Sequence, residues 1–253
     1  MRDMQTASSG KAGDRRSAYF SQERIVLAIA VVMFVLFGLT LPGFLAPGNL
    51  LSLVQSVSIL GILAIGMALT IIGRGIDLAI ISTMAMSVAW VIFMLGGGTP
   101  VWQAVLLGYL FVVCIGLVIG FLVAYAEIPA IFATLAMTTA IYGFTRVAFV
   151  DVDLLFIPQS ASWTREFGAG YVFGIPIPVI AFAIVALLAH LFLRHTKPGV
   201  FIRAMGDNPL KARIAGIPTR PMMLLQYVIS ASIAFFAGLV LATLVGTMNT
   251  RVV

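Results

Sequence analysis

The chain has 253 residues, of which 61% are hydrophobic and 9% charged, with a formal net charge of +6. That is more apolar surface than one soluble core can hide, so part of its solvent is lipid and the chain reads as all-α, a polytopic membrane helical bundle. Nucleic-acid binding is excluded because the basic residues form no patch interleaved with aromatics, and the single cysteine, Cys114, excludes an intrachain disulfide or a thiolate metal cluster.

A helix crossing the hydrocarbon core needs about 20 apolar residues. Seven stretches qualify as transmembrane helices: Ile25–Leu41, Leu50–Ile72, Leu78–Leu95, Val101–Tyr125, Ala130–Val150, Ile175–Leu193 and Met222–Gly246. Residues 1–24, with Arg2, Lys11, Arg15, Arg16 and Arg24, form a leader ahead of a transmembrane domain over 25–253. The first apolar run exceeds the roughly 7–15 residues of a secretory signal core and no small-x-small site precedes Pro42, so it is expected to be a retained span.

Arg and Lys collect at the leader and again over 194–220, as Arg194, Lys197, Arg203, Lys211, Arg213 and Arg220. Both segments are expected to be cytoplasmic by the positive-inside rule, and the six spans between them allow it. The loop Asp151–Gly174 and the "GGGTP" turn at 96–100 then lie outside. "AEIP" at 126–129 lies inside, with Pro129 starting the fifth helix.

Inside this apolar sequence stands "TIIGRGIDLAII", residues 70–81, with Gly73, Arg74, Gly75 and Asp77. Two readings stay open. One is a tight interfacial turn in which Arg74 and Asp77 meet water and each other. The other is a broken helix buried among its neighbours, where freed backbone groups and Asp77 line a pathway.

Small residues spaced by four, Ser230, Ala234, Gly238, Ala242 and Gly246 in the seventh span and Gly116, Gly120 and Ala124 in the fourth, predict close helix packing within one bundle, with a homodimer seam or a moving helix pair as the other readings. The interior polar residues are mild, among them Gln55, Ser58, Thr70, Ser87, Thr134, Thr138, Gln226 and Tyr227. They suit either backbone bonding or a pathway for a neutral polar solute. Acids and histidines able to relay an ion are few, and His190 reads as interfacial or bundle-packed. The chain has neither a paired His/Glu metalloprotease motif nor a Gly-x-x-x-x-Gly-Lys-Ser/Thr phosphate loop. It is therefore expected to be no enzyme and to bind no metal or cofactor itself.

The segment "TKPGVFIRAMGDNPLKARIAGIPTRP", 196–221, carries a predicted short helix. Pro198 and Gly199 end the sixth span, Asn208 is the N-cap, Pro209 the first helical residue and Gly216 the stop. Leu210, Ile214 and Ile217 give it an apolar edge beside Lys211 and Arg213, suited to a groove on another protein or to the headgroup layer.

"GIDL" at 75–78, "IPAIFATLAM" at 128–137 and "RAMGDNPLKARIAGI" at 203–217 together resemble the membrane-spanning permeases of ribose-type ABC sugar importers, a group that also carries other monosaccharides and autoinducer-2. The resemblance runs from about Phe44 to Val245. It implies a bacterial inner-membrane subunit with a cytoplasmic N-terminus, paired with a second permease copy. ATP and Mg would be bound by a separate ATP-binding cassette ATPase, and a periplasmic sugar-binding protein would deliver a monosaccharide such as ribose. It also implies an ATPase-coupling loop with Arg203, Gly206, Asp207, Asn208, Lys211, Arg213 and Gly216, and a translocation region with Gly75, Asp77, Pro129, Phe132 and Thr134. Three departures accompany it. Ala79, Ile80 and Ile81 precede Ser82 where the family continues with a small residue, and Pro209, Leu210 and Lys211 replace an alanine-rich pattern. The family's C-terminal spans are also absent, so a C-terminally truncated copy is expected. A stand-alone secondary carrier and an inactive truncated permease are the competing expectations.

Overall fold

The structure is a computed structural model and describes residues 22–251, so the expected leader lies almost wholly outside the described residues. Two compact units divide the chain after Leu53. In the first, helix α1 (Gln22–Thr40) is followed by a turn in which Phe44 packs edge-on against Phe34 and Phe37, with ring centroids 5.4 and 5.9 Å apart. Helix α2 (Pro47–Ile72) begins here and continues into the second unit.

The second unit holds the remaining helices. These are α3 (Ile80–Gly96), α4 (Val101–Ala124), α5 (Ala130–Ala148), the one-turn α6 (Glu166–Ala169), α7 (Ile177–His195), α8 (Lys197–Asp207), α9 (Pro209–Ile214) and α10 (Thr219–Val245). All seven expected spans appear as apolar helices. Five, namely α2, α4, α5, α7 and α10, are long and apolar enough to cross a membrane, while Arg24–Thr40 and α3 are shorter. The polytopic helical reading therefore stands, with five spans meeting the length criterion.

Helix α3 is buried along most of its length. Ile80, Ser82–Ala89, Val91, Ile92 and Leu95 are all buried, so nearly every face meets protein. Around it, Val88, Val91 and Ile92 pack with Phe235 and Ala242 of α10, while Met86 packs with Ile115 and Ile119 of α4 and Ile141 of α5. Helix α10, 27 residues and so about 40 Å long, lies against both α3 and α4.

The small-residue stripes make these contacts. A Cβ on Gly116 would lie 2.7 Å from Val228 Cα, and one on Gly120 2.7 Å from Leu224 Cα, so α4 meets the bare backbone of α10. A Cβ on Gly238 of α10 would lie 2.8 Å from side-chain atoms of both Met84 and Val88 of α3. Gly246 departs from the stripe reading: its φ of +81° makes it the left-handed cap that ends α10.

The expected loop 151–174 is built rather than irregular. Strand β1 (Leu154–Phe156) pairs antiparallel with β4 (Thr247–Asn249), Leu155 opposite Met248. Strands β2 (Tyr171–Val172) and β3 (Ile175–Pro176) close over Phe173 and Gly174, both at positive φ. These two ladders are the only sheets among the described residues. Arg146 at the end of α5 joins the assembly through Asp153 (3.2 Å) and Thr250 (3.4 Å). Trp90 stacks on Phe149 at 4.4 Å beneath it.

Candidate functional site: the broken segment 73–79 and the loop helices

Helix α2 stops at Ile72 and α3 starts at Ile80, leaving seven residues of non-helical backbone. Gly73, Gly75, Asp77 and Ala79 are buried, whereas Arg74 is exposed. Irregular backbone among apolar helices persists where protein satisfies its polar groups, and several of them find partners here. Gly75 N–H donates to Thr70 O (2.7 Å), Arg74 N–H to Ile71 O (3.0 Å) and Ala79 N–H to Asp77 Oδ1 (3.1 Å). The Thr138 hydroxyl of α5 reaches Leu78 O at 3.3 Å while bonding Thr134 O at 2.9 Å.

Asp77 is 2% exposed, and its carboxyl group lies within the bundle. Its second oxygen accepts from Ser230 Oγ on α10 at 2.7 Å. A hydrogen bond contributes about 0.5–1.5 kcal/mol net, and leaving one partner of a buried pair unsatisfied costs more than replacing both. The two glycines let α10 press against the break. A Cβ on Gly75 would lie 2.6 Å from Tyr227 Oη, and one on Gly73 would fall on Gln226 Oε1. Neither atom of the buried Gln226 amide makes a hydrogen bond among the described residues. Gln226, Tyr227 and Ser230 thus form, with Asp77, a compact polar patch within an apolar bundle.

Arg74 and Asp77 bond separate partners, so the pairing that the interfacial-turn reading allowed is not formed. Arg74 turns the other way and donates from Nε to Gly206 O (2.8 Å) and from Nη2 to Asp207 O (3.3 Å), the last carbonyls of α8. The backbone of the break is buried as the second reading has it, while Arg74 is exposed as the first has it.

The loop helices follow their capping residues. Thr196 caps α8, its Oγ1 accepting from Gly199 N–H at 3.1 Å. Pro198 therefore sits in the first turn of a new helix, where its missing N–H is tolerated. Sequence reading treated Pro198 and Gly199 only as a stop. Asn208 caps α9 as expected, accepting from Lys211 N–H at 3.0 Å, and Gly216 ends it with φ +81°. Leu210 and Ile214 are 68% and 79% exposed, so the apolar edge of α9 faces outward.

The expected coupling residues divide into two groups. Arg203, Asp207, Lys211, Arg213 and Gly216 are exposed, and Gly206 and Asn208 are half-buried. Gly206 is held against α2, and Arg213 Nε donates to Thr219 Oγ1 at 3.0 Å, tying α9 to the start of α10. Of the expected translocation residues, Gly75 and Asp77 belong to the buried patch. Pro129 caps α5, beside a turn held by Glu127 and Arg220 at 2.8 Å. Phe132 is 68% exposed, and the buried Thr134 hydroxyl bonds Ala130 O of its own helix. Sequence reasoning missed Ser230 as the partner of Asp77 and the α8 carbonyls as the partner of Arg74. The available signal was the spacing of Gln226 and Ser230 by four, which places both on one face of α10.

Residues 49–251 match the family described as branched-chain amino acid transport system / permease component. The chain is 31% identical to the ribose import permease protein RbsC of Escherichia coli (strain K12) over 225 residues, covering 88% of this chain and 70% of the relative. It is 34% identical to the galactofuranose transporter permease protein YtfT of the same organism, over 77% of this chain and 56% of that one. It is also 28% identical to the L-arabinose ABC transporter permease protein AraH of Azospirillum brasilense, over 86% and 63%. No solved structure matches it. The three sequence motifs and these relatives agree on one kinship: this multi-pass helical membrane protein belongs to the branched-chain amino acid transport system / permease component family.

Proposed function

We propose that the chain is the permease subunit of a binding-protein-dependent ABC importer, moving a monosaccharide such as ribose across the bacterial inner membrane with its N-terminus in the cytoplasm. The observation that carries this reading is the kinship with RbsC over 88% of the chain, together with the sugars named for YtfT and AraH. A separate ATPase binds ATP and Mg, a periplasmic binding protein delivers the sugar, and a second permease copy completes the pathway.

The capped pair α8–α9 is the segment that docks into the ATPase. Its exposed Leu210 and Ile214, beside Lys211 and Arg203, suit a groove on a soluble partner. Gly75 and Asp77, with Pro129, Phe132 and Thr134 near the start of α5, belong to the translocation region, which reorients as the ATPase cycles.

The test is recovery of the tagged chain from native membranes in mild detergent, with mass spectrometry of its companions. An ATPase subunit recovered with the native sequence and lost when residues 206–216 are scrambled supports the importer and the docking segment together. A folded chain recovered without any ATPase, and with uptake driven by a proton or sodium gradient, overturns the reading.

A further inference from the structure

Helix α2 ends in the paired pattern of a left-handed terminus, with Gly75 N–H bonded back to Thr70 O and Arg74 N–H to Ile71 O. Glycine normally occupies the left-handed position because it lacks the Cβ that clashes there. Here the position belongs to Arg74, at φ +63°, although glycines stand on both sides of it. A strained non-glycine residue persists when its surroundings hold it, and the surroundings of Arg74 are the end of α8.

Three contacts make that junction. The guanidinium donates to Gly206 O and Asp207 O, carbonyls left open at a helix C-terminus, where a cation is also favoured by the helix dipole. Gly206 approaches so closely that a Cβ on it would fall on the Ile72 carbonyl oxygen. Ile202, 1% exposed, packs on Gly73, with a Cβ there 3.2 Å from its Cγ2. The opposite side of the same short turn carries Asp77 bonded to Ser230 and the glycines seated on Gln226 and Tyr227. Residues 72–77 are therefore clasped between α8 and α10.

From this geometry we infer that Arg74 is a positioning residue for energy coupling: it ties the α8–α9 segment to the Gly73–Asp77 break, so that displacement of the loop helices moves the break against α10. The inference rests on the permease reading above. A left-handed arginine is what the task requires, because glycine would satisfy the backbone but could not hold α8.

The experiment uses the assembled transporter in proteoliposomes, with ribose, fructose and L-arabinose as probes, and measures sugar uptake and ATP hydrolysis in the same vesicles. Arg74→Gly is the informative variant, since it relieves the backbone while removing the tie. It is expected to assemble with the ATPase and hydrolyse ATP, with uptake per ATP falling at least tenfold. Arg74→Lys, which keeps one cationic donor but not the fork, is expected to recover part of that ratio. Arg74→Gly with a wild-type ratio overturns the inference alone. Equal loss of hydrolysis, uptake and bound ATPase makes Arg74 a residue of assembly and overturns it as well. A wild-type transporter with no ATP-driven uptake of any probe overturns the permease reading beneath it.

Discussion

Gly116→Ala and Gly143→Ala are the same change at two helical glycines, yet the structure assigns them opposite effects. At Gly116 the new methyl would sit 2.7 Å from Val228 Cα and 3.0 Å from Tyr227 O, backbone atoms of α10 that cannot swing aside. Overpacking of this kind costs about 1–3 kcal/mol, offset by about 1 kcal/mol of helix propensity gained over glycine, for a net loss centred near ~1 kcal/mol. At Gly143 in α5 nothing lies within 4 Å, so only the propensity gain of about 0.5–1 kcal/mol operates. Thermal unfolding in mild detergent, followed by tryptophan fluorescence, separates the two, because Trp90 reports the packed region through its stack on Phe149. Gly116→Ala is expected to unfold below wild type and Gly143→Ala at or above it. Gly120→Ala, 2.7 Å from Leu224 Cα, should follow Gly116→Ala. If Gly143→Ala loses as much stability as Gly116→Ala, the close approach of α4 to α10 is not what holds this region together.

Asp77→Asn and Ser230→Ala should not be additive: a double-mutant cycle on stability is expected to give about 1–2 kcal/mol of coupling, and a value under about 0.5 kcal/mol would refute the buried pair. Asn208→Ala removes the cap of α9 and should cost that helix about 1 kcal/mol. The sign would be faster hydrogen exchange over Lys211–Ile214 with α10 unchanged, and unaltered exchange would count against the cap. Gly206→Val forces α8 from the end of α2, so exchange should accelerate over residues 73–79. Protection equal to wild type there would contradict the junction.

Much of the architecture was legible in sequence because lipid imposes a strong rule: a spanning segment must satisfy its own backbone and stay apolar for its length. That rule located the helices, and the cap residues Asn208 and Gly216 marked α9 without help from packing. The four-residue spacing of small side chains likewise announced close contacts, since without a hydrophobic drive helices join through small residues. Which helix each stripe met was decided only in three dimensions. The second helix start at Thr196 was hidden because Pro198 serves equally as a breaker and as a first-turn residue. The pairing of β1 with β4 was hidden because it joins segments about 90 residues apart through strands of only three residues.

The break itself shows the division most sharply. Gly73, Arg74, Gly75 and Asp77 declare in sequence that the helix must stop, because glycine and buried charge are both costly in an apolar span. Where the two charges go was decided by tertiary structure. One of the two open readings let Arg74 and Asp77 meet each other, but with Arg74 in a left-handed turn they go to separate partners. One reaches α8 at Gly206 and the other reaches α10 at Ser230. Those partners lie more than 130 residues away along the chain, and only the folded packing of α8 and α10 around the turn brings them within hydrogen-bonding distance.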